Sequence, residues 1–183
     1  MSMHVYKTTN RPGSAGDSRC TPPEIWKPCL YAAGLKLKGQ WDLDPASNSF
    51  STIPSAKKWY GTKNDGLKLK WFGDVWLNFP FSSSQIWINK CFEEIERGDL
   101  TTLTILGPGD STTAWWKQIT KGAHAWATWK KRQHCPTPTQ PKGTPGGPLD
   151  VWFFTFRENY LADIARWEKV MRHVGCLTFK YEE

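Results

Sequence analysis

The stretch Asn78-Phe79-Pro80-Phe81 carries the residue types best suited to chemistry on a flat, polar group. It follows the apolar run Val75-Trp76-Leu77 and precedes Ser82, Ser83 and Ser84. A base swung out of a nucleic-acid stack needs acceptors for its exocyclic amine and an aromatic face to lie on. The Asn78 side-chain carbonyl and the Phe79 main-chain carbonyl offer two acceptors, Pro80 fixes the backbone, and Phe81 offers the ring. Two acceptors on one amino group also draw its lone pair out of the ring system, making the nitrogen a better nucleophile. The same four residues equally suit a buried strand that ends in a proline turn.

Apolar periodicity and Gly/Pro punctuation predict the elements around this stretch. Residues 1–19 are polar and aperiodic, which predicts a flexible N-terminal arm. Thr21, Pro22 and Glu24 predict a helix with a capping box, Thr21 at the N-cap and Pro22 at the first helical position. Pro28 is expected to shorten or kink it. Strands are predicted at 40–43, 56–62, 74–79, 100–107, 124–129 and 151–156. Helices are predicted at 84–97, where Ile86, Ile88, Phe92 and Ile95 mark the apolar face, at 111–123, capped, and at 159–174. Residues 130–149 read as a basic, proline-rich loop. The alternation predicts an α/β fold, a mainly parallel sheet with helices on both faces, in one domain spanning 20–183. Ligands of such sheets lie beyond the carboxyl ends of the strands. Asp44-Pro45, Asn78–Phe81 and Gly107-Pro108 all follow predicted strand ends, so they are expected to line one crevice.

A chain of 183 residues favours a single domain with a real core. Its 12 tryptophans exceed what a plain core needs and suit stacking on bases as well as burial. The net charge of +7 suits an anionic partner such as nucleic acid, though many soluble proteins are moderately basic. Cys20, Cys29, Cys91, Cys135 and Cys176 are odd in number and contain no CxxC pair, which argues against a disulfide framework or a four-cysteine zinc site. His134-Cys135 and His173 with Cys176 match no standard metal spacing, so no metal site is predicted. No apolar run is long enough to span a membrane and no signal-peptide pattern is present, which predicts a reduced, cytoplasmic protein.

Asn78-Phe79-Pro80-Phe81 resembles the [Asp/Asn/Ser]-Pro-Pro-[Tyr/Phe] motif of amino-group DNA methyltransferases. The likeness extends along the chain. "TPPEIW", "WDLDPAS", "NDGLKLKW" followed by "VWLN", and "ILGPGDSTTAWW" resemble, in order and spacing, segments of the small phage and prophage Dam-like N6-adenine methyltransferases. It covers about residues 17–156, most of the chain.

The resemblance implies a Rossmann-like class I methyltransferase fold, S-adenosylmethionine as cofactor and DNA as partner. The implied reaction is methylation of adenine N6, as in phage DNA modification that protects against restriction in the host cytoplasm. Asn78, Phe79, Pro80 and Phe81 would be the catalytic set. Thr21, beside Pro22 and a helix N-terminus suited to an anion, would hold the methionine carboxylate. Asp44, with Pro45 and Ala46, would hold the methionine ammonium or shape the pocket, and Asp65 would accept a hydrogen bond from the cofactor's adenine or ribose. Asp44-Pro45 and Asp65-Gly66 also suit plain turns. Lys130, Lys131, Arg132 and Lys142 would grip phosphates without reading sequence. A sulfonium cofactor carries the hard chemistry, so the protein has to align the reactants and exclude water. Two departures stand out: Phe79 replaces the usual proline, and residues 44–48 lack a glycine-rich turn. Phe79 leaves open a degenerate methyltransferase that binds DNA or cofactor without turnover. Cytosine N4 or RNA is the alternative target.

Overall fold

The computed structural model describes residues 20–48, 51–59, 64–137 and 140–180, so the expected N-terminal arm lies outside the described residues. Along the chain lie α1 (Pro23–Ala32), β1 (Trp41–Asp44), β2 (Ser55–Lys58), β3 (Gly73–Asn78), α2 (Ser84–Arg97), β4 (Leu100–Pro108), α3 (Ala114–Gly122) and β5 (Ala125–Trp129). They are followed by β6 (His134–Thr137), β7 (Gln140–Pro145), β8 (Leu149–Thr155), α4 (Tyr160–His173) and β9 (Cys176–Lys180). A short 3-10 turn, Phe81–Ser83, joins β3 to α2.

Seven strands form one sheet in the order β2-β1-β3-β4-β8-β5-β9. β1 pairs in parallel with β2 and β3, and β3 with β4. β8 is antiparallel to both β4 and β5, and β9 is antiparallel to β5. The expected mainly parallel sheet is therefore mixed. β1 to β5 share a direction, but β8 returns against them and separates β4 from β5. All seven residues of β8 are buried, which suits a central strand between two partners.

Alternation along the strands splits the core between the two faces. Trp76 joins Ile25 and Leu30 of α1 and Trp167 and Met171 of α4. Val75 and Leu77, its neighbours on β3, join Trp87 and Ile88 of α2 and Trp115 and Ile119 of α3. Helices thus cover both faces. α2 buries Ser84, Trp87, Ile88, Cys91 and Glu94, so of the expected apolar positions Ile88 is buried, Phe92 and Ile95 pack half-buried against the same core, and Ile86 is exposed.

Three local expectations are corrected. α1 begins at Pro23 with Pro22 at its N-cap and no side-chain cap, so the Thr21–Glu24 capping box does not form. Pro22 and Pro23 lack N–H groups, and the Pro22 carbonyl accepts from the Ile25 and Trp26 amides, which closes the first turn without a cap. The helix runs on through Pro28 to Ala32. α3 likewise has no side-chain cap; the Thr113 hydroxyl donates to the Asp110 carbonyl instead. The stretch 130–149 is not a loop throughout, because β6 and β7 pair as an antiparallel hairpin. β9 is a further strand that the sequence pattern left unassigned.

An ionic network ties α1 and α4 to the sheet. Asp74 on β3 is buried and accepts from Thr102, Lys38 and Arg157. Arg157 also donates to the Ala33 carbonyl at the end of α1 and pairs with Asp163 of α4 at 3.4 Å. Asp163 accepts further from Thr155 and Arg166. Arg157→Met should destabilise the fold by about 2–3 kcal/mol. That is below the usual loss for breaking a buried pair, since each carboxylate keeps other donors. Urea denaturation at neutral pH measures it.

Candidate active site

A cleft open to solvent lies at the carboxyl ends of β1, β3 and β4. Asp44, Asn78 and Leu106 reach it from those strands, and Phe79, Pro80 and Phe81 continue from β3 along its floor. One wall is the connection between β1 and β2, with Ser47, Asn48, Ser51 and Ile53. The other is formed by the hairpin segment and the start of β8, with Gln133, Cys135, Gly146 and Leu149. Cys20 and Thr21, just before α1, close the end. Gly107 and Pro108 are not in the lining, and β4 contributes Leu106 in their place.

Asn78 and Thr21 meet inside this cleft although 57 residues separate them. The Asn78 Nδ2 donates to the Thr21 Oγ1 at 2.9 Å. Thr21 is buried, and its hydroxyl serves the amide because the helix start next to it is closed by Pro22. One of the two Nδ2 hydrogens is thereby engaged, and Asn78 lines the cleft. The helix N-terminus is a poor anion site by comparison. Pro22 and Pro23 carry no N–H, the Ile25 and Trp26 amides are engaged, and Glu24 adds negative charge to the first turn.

Asp44 ends β1 with its carboxyl in the cleft and only 3% of its surface exposed. Burial pushes its pKa up to about 7, against the opposing influence of Lys58 and of hydrogen bonds from Ser47, the Ala46 amide and Ser51. A carboxyl so short of compensation has its ionisation stabilised by any cation that enters the cleft. Ala46 lines the cleft beside it, while Pro45 is buried behind.

Phe79 points its ring into the core. It packs edge-on against Trp115 at 5.6 Å and against Phe81 at 5.9 Å between centroids. Gly107 makes room for it: a Cβ there would stand 3.1 Å from the Phe79 ring and 3.2 Å from Trp152. The extra bulk of Phe79 relative to proline is therefore housed outside the cleft. Phe81 is half-buried, and it lines the cleft.

The sequence model of the family described as DNA N-6-adenine-methyltransferase (Dam) matches residues 8–132. That is more than half of the chain. The chain belongs to the DNA N-6-adenine-methyltransferase (Dam) family. It is 32% identical over 126 residues to the DNA N-6-adenine-methyltransferase of Escherichia phage T1, a match covering 67% of this chain and 49% of that protein. The chain thus spans about half the length of that relative. No solved structure matches it significantly.

In this Dam-family chain Asp65 lies away from the cleft lining. Its Oδ1 accepts from the Leu67 amide at 3.0 Å and its Oδ2 pairs with Lys68, so it shapes a turn. Gly66 carries the positional demand there. A Cβ on Gly66 would fall 2.0 Å from the Pro45 carbonyl oxygen, and the Gly66 carbonyl accepts from the buried Trp71 indole. The Asp65-Gly66 turn thus backs the Asp44-Pro45 loop from behind. Gly66→Ala should destabilise the protein by about 2–3 kcal/mol, because backbone must move. Calorimetric melting should register this as a fall of roughly 4–12 °C.

Lys130, Lys131 and Arg132 are exposed and lead directly to Gln133 and Cys135 on the cleft wall. Lys142 lies on β7 of the hairpin. Sequence reasoning missed the wall residues Ser47, Ser51, Gln133 and Leu149. The serines carried a signal, since they follow Asp44 within one connection. The hairpin residues had none. No helix among the described residues is long and apolar enough to cross a membrane.

Proposed function

We propose that this chain transfers a methyl group from S-adenosylmethionine to the N6 amino group of adenine in DNA. The observation that carries this is the convergence of Asn78, held by Thr21, and the buried Asp44 on one cleft. Family membership and the name of the phage T1 relative support the reaction and the target. Five strands sharing a direction, helices on both faces and a cleft at the carboxyl edge support the Rossmann-like class I reading of the sheet.

The residues fit the cofactor: Asp44 suits its ammonium, and Thr21 and Ala46 line the space beside it. When bound, S-adenosylmethionine supplies an electrophilic methyl group. Asn78 Oδ1 and the Phe79 carbonyl accept hydrogen bonds from the adenine amino group and raise the density on its nitrogen. Pro80 holds the turn that sets their spacing. Phe81 lies against the base. Thr21 acts as a positioning residue by fixing the Asn78 amide. The two walls keep the reactants in line. No side chain needs a shifted proton affinity beforehand, since the amino proton leaves after attack. Such a mark on phage DNA would protect it from restriction.

Nucleoside mass spectrometry of DNA incubated with protein and cofactor tests the reading. N6-methyladenine is the expected product. N4-methylcytosine, methylated RNA alone, or cofactor binding without product would each overturn it.

A further inference from the structure

Resting on the methyl-transfer reading, we propose that duplex DNA is held by two cationic flanks on either side of the cleft. The flank not yet assigned is the β2 edge, built from Lys57, Lys68, Lys70 and the exposed face of Phe72.

The distribution of charge carries this. Residues 51–72 hold five lysines and one acidic residue, Asp65, and residues 130–149 hold four lysines and arginines and no acidic residue. Each stretch is thus +4, so with a total of +7 the remaining 141 residues sum to −1. The basicity of the protein is therefore not spread over its surface but concentrated in two segments.

Each segment borders the cleft at one end. Ser51 and Ile53 line one wall, and β2 follows at once. Lys58 holds that wall by donating to the Ser51 carbonyl at 3.0 Å, and the Trp59 amide donates to the Asp44 carbonyl at 2.9 Å. The end of β2 therefore sits at the carboxyl edge where the cleft opens. Gln133, Cys135 and Gly146 line the other wall, within the second basic segment.

Lys57, next to Lys58, points the other way along the strand. Its Nζ lies 5.2 Å from the centre of the Phe72 ring, which is 36% exposed and meets Trp59 edge-on at 6.3 Å. Lys70 is exposed on the segment leading to Phe72 at the amino end of β3, as is Lys68, which pairs with Asp65 at 3.4 Å. An aromatic plane among lysines suits a sugar–phosphate backbone.

In the sheet order, β2 and β5, the strand that leads into the second segment, are five spacings apart, about 24 Å at the usual strand separation. That distance corresponds to roughly seven base pairs at 3.4 Å each. The target base would be centred between the two grips. Lysines on an edge strand also discourage pairing with another sheet, but that role produces no salt-dependent DNA affinity.

The test is fluorescence anisotropy of a short mixed-sequence duplex against salt concentration, with the full chain and its Lys57→Gln/Lys70→Gln variant. Each lost phosphate contact lowers the slope of log K against log salt by about 0.9, so the double variant should lose about 1.8. Its cofactor affinity should be unchanged, because neither residue lines the cleft. An equal slope in a variant with native melting behaviour would overturn the flank. Equal affinity for single-stranded RNA, with the same loss of slope, would overturn the assignment to duplex DNA. The methyl-transfer reading fails separately: the expected slope change without any methyladenine from the wild-type chain removes that reading and leaves the flank standing.

Discussion

Alanine at position 78 should lower kcat for methyl transfer by about 10²–10³-fold, as loss of a well-placed polar group at a reacting centre does elsewhere. Cofactor affinity should stay close to that of the native chain. The reason lies in how the amide is divided. One Nδ2 hydrogen holds Thr21, and in the proposed mechanism Oδ1 accepts from the substrate amine. Asn78→Asp keeps the acceptor and gives up the N–H. The Thr21 hydroxyl can turn to donate to the new carboxylate, so this variant should fall between alanine and the native residue. Single-turnover transfer, with calorimetry for cofactor binding, measures both quantities. Full activity in Asn78→Ala would remove the residue from the mechanism.

Asp44→Asn should act in the opposite sense on two properties. Cofactor affinity should drop by about 2–4 kcal/mol, roughly 30- to 1,000-fold, since a desolvated ammonium would lose its counter-charge. Stability of the protein without ligand should rise at pH 8. The sign follows from the raised pKa. With a folded value of about 7 and an ordinary value near 3.8, Asp44 favours the folded state fully only below about pH 4, and that contribution is lost as pH rises through 7. Above 7 the fold carries a buried carboxylate, and the amide relieves it, by on the order of 2–4 kcal/mol. Binding by the native chain should accordingly strengthen from pH 6 to 7.5 as Asp44 ionises. It should weaken above about pH 8 as the ligand's α-amino group loses its proton. Calorimetry across this range should give a bell-shaped affinity for the native chain and a flat rising limb for Asp44→Asn. Binding in the variant as tight as in the native chain would separate Asp44 from the cofactor.

Much of the site's placement was legible because it depends on local pattern. The apolar run Val75–Leu77 has to be a buried strand, and Asn78 has to be its end. Asp44 is fixed the same way by Trp41 and Leu43. What was not legible depends on contacts between distant residues. Thr21 reads locally as a helix cap, and nothing near it in sequence shows that two successive prolines close the turn and free its hydroxyl for a partner 57 positions away. Asp65 looks like a polar group for a ligand, yet its neighbour Gly66 carries the constraint, through a close approach to Pro45. Prolines at 136, 138, 141 and 145 hid the hairpin, since proline within a run argues against strands. The parallel expectation for β8 failed because direction is set by the connection that precedes a strand. A hairpin in place of a helix brings the chain back reversed.

The proposed arrangement holds the reactive amine against Asn78 and the methyl donor beside Asp44 in one cleft. Its most direct test is transfer from S-adenosylmethionine carrying a deuterated methyl group to DNA, read by mass spectrometry of the digested nucleosides for the native chain and Asn78→Ala side by side. Deuterated N6-methyladenine from the native chain, and almost none from a variant that still binds the cofactor, is the predicted result. Equal labelling by both proteins, or label on a different nucleoside, would contradict it.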